Sequence, residues 1–362
     1  MKRLLILFTI LFGLQLNTYA SEQVKEPFNP GGMIMEHIAD NHSWHILTYH
    51  EKDVAIPLPV ILINEGKLDI FMSSNFEHGH ASYKGYKLGT IQDGKEAKGK
   101  VICVDQNDKW TGKIPLDFSI TKNVTTLFIV ALIMIIVVFR AKKIAYKRQG
   151  QSPKGTQTII EFVILFIRDD IAIPSIGKKR YEKFMPYLLT VFCFIFLSNI
   201  MGLIPFFPGG ANLTGNIAIT MVLALITFII TNFSANKAYF AHIANMPGVP
   251  WWLKLPIPIM PLVETLSVFT KPFALMIRLF ANITAGHIII LGFLSIIFIF
   301  GAQNVTIGYG VSIIPLFFAV FMSLLELLVA FIQAYVFTLL SAIYIGMAHE
   351  EHAEVLHKEI AK

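Results

Sequence analysis

The sequence predicts an all-α polytopic integral membrane protein with a small, mostly β domain ahead of its first span. Of its 362 residues, 54% are hydrophobic and only 15% are charged, and the mean hydropathy is +0.61. Soluble domains carry about 25% charged residues. The composition therefore excludes an ordinary globular enzyme. It also excludes a disordered or nucleic-acid-binding protein, despite the formal net charge of +6.

The first 20 residues have the pattern of a signal peptide. Lys2 and Arg3 precede the apolar run 4–14, which is too short to span a membrane, and Thr18-Tyr19-Ala20 resembles a cleavage site. The alternative is an uncleaved anchor. In both cases we expect the segment that follows to be exported.

Residues 21–117 form the predicted exported domain. Strand-like runs lie at Leu68–Met72, Tyr86–Ile91 and Val101–Val104. The spacing His42-x-x-His45 permits a metal site, but surface and packing histidines are favoured, so no metal or cofactor is predicted. The two cysteines, Cys103 and Cys193, lie in segments of opposite character, and no disulfide is expected.

Residues 118–362 form the predicted membrane domain. Apolar runs place five spans near 124–139, 184–205, 213–233, 257–300 and 311–347. An amphipathic helix over Thr156–Ile173 is expected to lie along the membrane surface. The charged tail is predicted to be helical. The last two apolar stretches exceed one perpendicular span. For Pro256–Phe300, composition leaves open whether the stretch is two spans with a turn or one steeply tilted helix.

The loop charges predict the orientation. The loop 140–183 carries eleven lysines and arginines, whereas the loops 206–212 and 301–310 carry none. Since positive loops face the cytoplasm, the loops 140–183 and 234–255 are predicted to be cytoplasmic, and the loops 206–212 and 301–310 external. With an exported N-terminal domain and five spans, the C-terminus is also cytoplasmic.

Ionisable residues inside the long apolar stretches are candidate functional residues because they are costly in lipid. They are Glu264, Lys271, Arg278, His287 and Glu326. Glu264, Ser267, Lys271, Arg278 and Asn282 share one helical stripe, and Ser323, Glu326, Gln333 and Tyr344 share another. The alternative is that these groups only join helices within the bundle. That structural role is favoured for Lys271, whereas function is favoured for Arg278.

Helix rise predicts the depths of these groups. If Arg278 and Gln333 are level, His287 lies about 13 Å and Glu326 about 10 Å toward the outer side. Glu264 lies about 21 Å toward the cytoplasm. Titratable groups thus lie on both sides of Arg278, whose guanidinium does not readily lose its proton. This arrangement suits two half-channels separated by that cation.

Two segments carry a resemblance to a known family. The segments PLVETLSVFTKPFALMIRLFANITAGH and ELLVAFIQAYVFTLLSAIYIGMAHEEH resemble the a subunits of F-type ATP synthases. The resemblance implies that Arg278 is the essential stator arginine, with Asn282 and Gln333 beside it. It assigns Glu264 to the cytoplasmic half-channel, and His287 and Glu326 to the outer one. It also implies that the last two stretches are long, tilted helices.

The same resemblance implies partners and a location. The partners are a ring of c subunits, the b subunits of the peripheral stalk, other synthase subunits and the lipid bilayer, with no nucleic acid and no cofactor. The location is a bacterial inner membrane, with residues 21–117 in the periplasm, an extension similar to that of Bacteroidetes members. Many bacterial members have Glu at position 287 and His at position 326, and this chain has them exchanged. Some members have Asp where this chain has Gly202, and Asn199 suits either channel lining or helix packing.

The predicted function is therefore a proton-translocating stator subunit of a rotary ATP synthase, itself non-catalytic. The chain lacks the nucleotide-binding pattern GxxxxGK[ST]. One alternative is a secondary ion transporter, but no internal repeat supports it. The other alternative is a non-transporting membrane scaffold, in which a neutral residue could replace Arg278.

Overall fold

The computed structural model describes residues 29–49, 52–79, 81–90, 93–94, 96–148, 151–204, 207–244 and 259–349. The predicted signal peptide, the charged tail and much of the loop 234–255 lie outside these residues.

The N-terminal domain, residues 30–118, is built from short strands. It contains the helix α1 (Pro30–Ile38), a 3₁₀ helix (Ser73–Gly79) and seven described strands. The strands are β1 (Ser43–Tyr49), β2 (Lys52–Pro57), β3 (Pro59–Asn64), β4 (Lys67–Met72), β5 (Tyr86–Leu88), β6 (Val101–Cys103) and β7 (Leu116–Asp117). They form antiparallel pairs β1-β2 and β5-β6 and a three-stranded sheet of order β4-β3-β7.

Alternating burial explains how this domain packs. Val60 and Leu62 of β3 point inward, where they pack with Phe71, Phe76 and Tyr86. Successive strand residues face opposite sides, so one face of each strand reaches the core. The sequence missed α1 and four of the strands.

The predicted strand Tyr86–Ile91 ends at Leu88. The next residue, Gly89, lies so close to Ala97 that a Cβ would meet its carbonyl oxygen at 2.0 Å. The chain therefore leaves the strand at a backbone contact that only glycine allows.

The membrane domain consists of helices. They are α2 (Lys122–Lys147), α3 (Thr156–Phe166), a π-helical segment (Ile167–Ala172), α4 (Ile173–Ile176), α5 (Tyr181–Leu203), α6 (Ile217–Ser234), α7 (Lys237–Ala244), α8 (Ile259–Gln303) and α9 (Val305–His349). Among the described residues, α2, α5, α6, α8 and α9 are long and apolar enough to cross a membrane. The predicted fold class, with five spans and a small strand-containing N-terminal region, is confirmed.

The span boundaries differ from the predicted ones for local reasons. Helix α2 continues past residue 139 to Lys147 because RAKKIAYK contains strong helix formers. Helix α6 begins at Ile217 rather than near residue 213, because Asn216 caps it by accepting a hydrogen bond from the Ala218 N–H. The amphipathic segment contains a π-helical turn at Ile167–Ala172 and then continues past Ile173 to Ile176.

The two long stretches are each one helix of 45 residues. At 1.5 Å per residue each is about 68 Å long, whereas the hydrocarbon core is about 30 Å thick. Each helix therefore has to tilt or extend beyond the core. The predicted outer loop 301–310 is mostly helical, since Asn304 alone separates α8 from α9 and accepts a hydrogen bond from the Thr306 N–H.

Helices α8 and α9 form an antiparallel hairpin against which α5 and α6 pack. Helix α5 packs against α9, and α6 packs against α8. Large buried side chains fill the space between them, including Leu188 and Ile195 of α5, Leu275 and Leu279 of α8 and Phe337 of α9. The bundle has a domain end, where α2, α6 and α9 begin, and a far end, where these helices finish.

Candidate functional site

A buried pair of titratable side chains joins α8 to α9. His287 Nδ1 and Glu326 Oε1 are 2.5 Å apart, and the two side chains are 12% and 4% exposed. The structure therefore brings together the two residues that helix rise placed at similar depth. They lie between the middle of the hairpin and the domain end.

Two glycines border this pair. A Cβ on Gly286 would lie 2.8 Å from Glu326 Oε1 and 2.9 Å from its carboxyl carbon. A Cβ on Gly202 of α5 would lie 3.7 Å from His287 Nε2 and 3.3 Å from the carbonyl oxygen of Ala211. The first glycine admits the carboxylate, and the second lies between the imidazole and the loop that follows α5.

That loop is buried, which is unusual because loops normally run over the surface. Ala211, Asn212, Leu213 and Thr214 are all at most 6% exposed. The Thr214 hydroxyl donates to Asn199 Oδ1 at 2.6 Å. Asn199 Nδ2 donates in turn to the carbonyl oxygen of Ala330 at 3.1 Å. Both polar ends of Asn199 thus bind protein groups, which favours helix packing for this residue.

Unpaired polar atoms surround the same region. Within the described part of the chain, Glu326 Oε2, Ser198 Oγ and Asn212 Nδ2 are buried without a hydrogen-bond partner. Ser198 adjoins Asn199 on α5, and Asn212 adjoins Ala211 in the loop. Buried polar atoms of this kind are usually satisfied by ordered water, so this end of the bundle has the chemistry of a hydrated path.

Arg278 lies on an exposed stripe of α8. Ala274, Arg278, Ala281, Asn282 and Ala285 are all exposed and recur at spacings of three and four residues. An arginine on the outside of a membrane helix is costly in lipid. Small residues on both sides of it allow close approach of another helix. The stripe therefore has the character of a protein-facing surface.

Gln333 lies close to the depth of Arg278 but is buried. The contact of His287 with Glu326 sets the register of the antiparallel hairpin, in which Arg278 is level with Tyr335. Gln333 is two residues from that level, about 3 Å along the axis. Its side chain is 6% exposed, whereas Arg278 and Asn282 are exposed, so the structure does not place the three residues on one surface.

A second polar region lies toward the far end. A small, partly open pocket with room for about one water molecule is lined by the polar residues Thr227, Thr231, Asn232, Tyr239, Lys271 and Tyr344, together with three apolar ones. Lys271 Nζ lies 5.8 Å from the centre of the Tyr344 ring, a cation–π contact that periodicity had not indicated. Burial raises the pKa of the Tyr239 phenol, and the charge of the half-buried Glu264 raises it further.

Comparison with known proteins assigns the chain to a family. Residues 112–346 match the family model described as ATP synthase A chain. The chain belongs to this family. The prediction of an F-type ATP synthase a subunit is thereby confirmed. Residues 33–118 match a second model, a domain of unknown function called DUF8433.

Curated relatives carry the same name. The chain is 47% identical over 238 residues to "ATP synthase subunit a 2" of Chlorobaculum tepidum, covering 64% of each chain. It is 43% identical over 250 residues to "ATP synthase subunit a" of Chloroherpeton thalassium, covering 67% of this chain and 70% of the relative. It is 46% identical over 247 residues to "ATP synthase subunit a" of Chlorobium phaeobacteroides (strain DSM 266), covering 66% of this chain and 68% of the relative. The chain thus spans about two thirds of these relatives.

Proposed function

We propose that this ATP synthase a subunit provides two offset half-channels for protons, separated by Arg278, to a ring of c subunits. The observation that carries the proposal is the position of Arg278. It is exposed among small residues on α8, nine residues from the buried pair of His287 with Glu326. A rotor helix bearing a carboxylate can approach this stripe closely.

The outer half-channel leads to His287 and Glu326. Their contact supports this role because a histidine and a carboxylate can exchange a proton near neutral pH. The unpaired atoms of Ser198, Asn212 and Glu326 support the presence of water beside the pair. The domain end of the bundle is then the periplasmic side.

Gly286→Ala should impair this half-channel. The added methyl group would lie 2.8 Å from Glu326 Oε1, and overpacking of this kind costs about 1–3 kcal/mol. We expect proton transport by the assembled complex to fall roughly tenfold, since 1.4 kcal/mol corresponds to a factor of ten. The measurement is ATP-driven proton pumping into vesicles.

Gly292→Ala is the matched control for that variant. Gly292 lies on the same helix, and a Cβ there would meet nothing within 4 Å. It should pump like the wild type. Equal pumping by both variants would contradict the assigned role of Gly286.

The cytoplasmic half-channel leads from the far end toward Arg278. The pocket beside Lys271 and Tyr344, and the nearby Glu264, support a hydrated path on this side. Tyr239 belongs to α7, which follows the predicted cytoplasmic end of α6. Lys271 lines this path, and its ammonium group makes a cation–π contact with the Tyr344 ring.

The charges explain why rotation and proton flow are coupled. A rotor carboxylate that approaches Arg278 is stabilised in its ionised form, since a neighbouring cation lowers the pKa of a carboxyl group. It must therefore release its proton into one half-channel before passing Arg278 and bind another proton from the other half-channel afterwards. The membrane potential supplies about 2.3 kcal/mol per charge per 100 mV.

The remaining assignments follow from this function. The subunit is non-catalytic and works within the complete synthase, beside the c ring and the b subunits of the peripheral stalk. It crosses the bacterial inner membrane with the N-terminal domain in the periplasm. The basic loop 140–183 supports this orientation, because positive loops stay in the cytoplasm.

The test is coupled ATP synthesis by vesicles that contain the complete complex with Arg278→Gln, measured together with passive proton flux. Loss of synthesis supports the proposal. Normal synthesis would favour the scaffold alternative, in which the charge has no part in transport.

A further inference from the structure

Hydrogen bonds attach the N-terminal domain to the first membrane helix. Asp40 accepts hydrogen bonds from the Thr121 hydroxyl at 2.9 Å and from the Asn123 N–H at 3.0 Å. The carbonyl oxygen of Asn41 accepts from the Lys122 N–H at 3.0 Å. The segment 40–41 thus holds the start of α2.

A hydrogen bond between two side chains extends this attachment. His42 Nε2 lies 2.7 Å from Asp117 Oδ2, and His42 is only 6% exposed. Burial alone would raise the pKa of Asp117, but hydrogen bonds from His42 and Ser119 outweigh it and hold the pKa below its usual value. His42 is therefore occupied by a carboxylate partner, and the side chain of His45 lies outside the described residues.

Two contacts connect this domain to the part of the bundle that holds the buried pair. Helix α1 packs against α8, the helix that carries Arg278 and His287. Trp44 is 3% exposed and meets the ring of Phe207 edge to face, with centroids 5.2 Å apart. Phe207 belongs to the α5–α6 loop, residues 207–216, which is the same loop that lies beside His287.

The other side of the loop is held by the bundle. The Thr214 hydroxyl bonds to Asn199 of α5, and the Thr284 hydroxyl donates to the carbonyl oxygen of Gly215 at 3.4 Å. Thr284 lies one turn of α8 before His287. The loop is therefore held between Trp44 of the N-terminal domain and the helices that form the buried pair.

We propose that the N-terminal domain is a clamp on the outer half-channel, and that Trp44 is a positioning residue that holds the α5–α6 loop against His287. This gives residues 33–118, which match a domain of unknown function, a role in transport. The proposal rests on the proposed function for the statement that this loop lines the outer half-channel. The clamp itself rests on the contacts of Trp44, Phe207 and Asp40.

The test uses the complete complex in vesicles and two readouts. Trp44→Ala should make the amides of residues 211–215 exchange with deuterium roughly tenfold faster, because an aromatic contact that keeps the loop closed is lost. It should also change the dependence of ATP synthesis on outer pH. Phe207→Ala, in a half-exposed position, should reproduce both effects, and the double variant should add little to either single one.

Trp110→Ala is the control for general damage to the domain. Trp110 lies in the same domain, where its indole N–H donates to the carbonyl oxygen of Lys113. It should leave the loop amides and the pH profile unchanged. The proposal is overturned if Trp44→Ala changes neither readout, if it speeds exchange without altering the pH profile, or if Trp110→Ala has equal effects. The exchange readout does not require proton transport, so failure of the clamp and failure of the half-channels are distinguishable.

Discussion

Arg278→Gln should reduce coupled ATP synthesis to less than about one hundredth of the wild-type rate while passive proton flux persists or rises. Two unit charges 4 Å apart interact by about 4 kcal/mol at an effective dielectric constant of 20. Glutamine removes this attraction, so a rotor carboxylate no longer has to release its proton before passing the stator. Protons can then cross without driving net rotation. The measurement is synthesis and passive flux in the same vesicles.

Two further variants make that result specific. Arg278→Lys should lose less activity than Arg278→Gln, because lysine keeps a positive charge. It should still lose some activity, since a desolvated lysine gives up its proton more readily than arginine. Lys237→Gln removes an exposed cation from α7 at the far end and should leave synthesis unchanged. If Arg278→Gln retained half of the wild-type synthesis rate, the central role of Arg278 would be wrong.

Replacing His287 or Glu326 alone should impair proton transport more than exchanging the two residues. Each single replacement by alanine leaves a buried polar partner unpaired, which costs about 1–3 kcal/mol. A loss of ten- to a hundredfold in pumping is therefore expected. The double variant His287→Glu with Glu326→His keeps one imidazole and one carboxylate in contact and should recover most of the activity.

The control for this exchange is Ser323→Ala. Ser323 lies about one turn from Glu326 on α9, is exposed, and its hydroxyl donates to the carbonyl oxygen of Ala319 in its own helix. It should pump normally. Equal losses in the two single variants and the exchanged variant would show that His287 and Glu326 do not act as a pair.

Much of the membrane domain could be predicted because apolar length and charge are local properties of the sequence. Apolar runs located all five spans, since each helix must satisfy its backbone hydrogen bonds within itself in lipid. The scarcity of charge in residues 184–348 made Arg278, His287 and Glu326 stand out. Their spacing also indicated that the last two would meet, because helix rise converts residue number into depth.

Other features depended on contacts between distant residues. The resemblance implied that Gln333 lies beside Arg278, but only packing shows that one is buried and the other exposed. Composition left two spans or one helix open for the stretch Pro256–Phe300, and the structure has one helix there, Ile259–Gln303. The strands β1, β2, β3 and β7 were missed because sheet pairing joins segments far apart in the chain.

The sequence by itself determined that this is an ATP synthase a subunit with five candidate spans, and which ionisable residues lie in its long apolar stretches. Those properties follow from hydropathy, helical period and short motifs, all of which act within one segment. Only the tertiary structure decided that Gly286 makes room for Glu326, that Asn199 binds Thr214 and Ala330, and that Trp44 reaches the loop beside His287. These contacts join residues up to 163 positions apart (Trp44 to Phe207, 207 − 44), and such distances are set by packing rather than by local pattern.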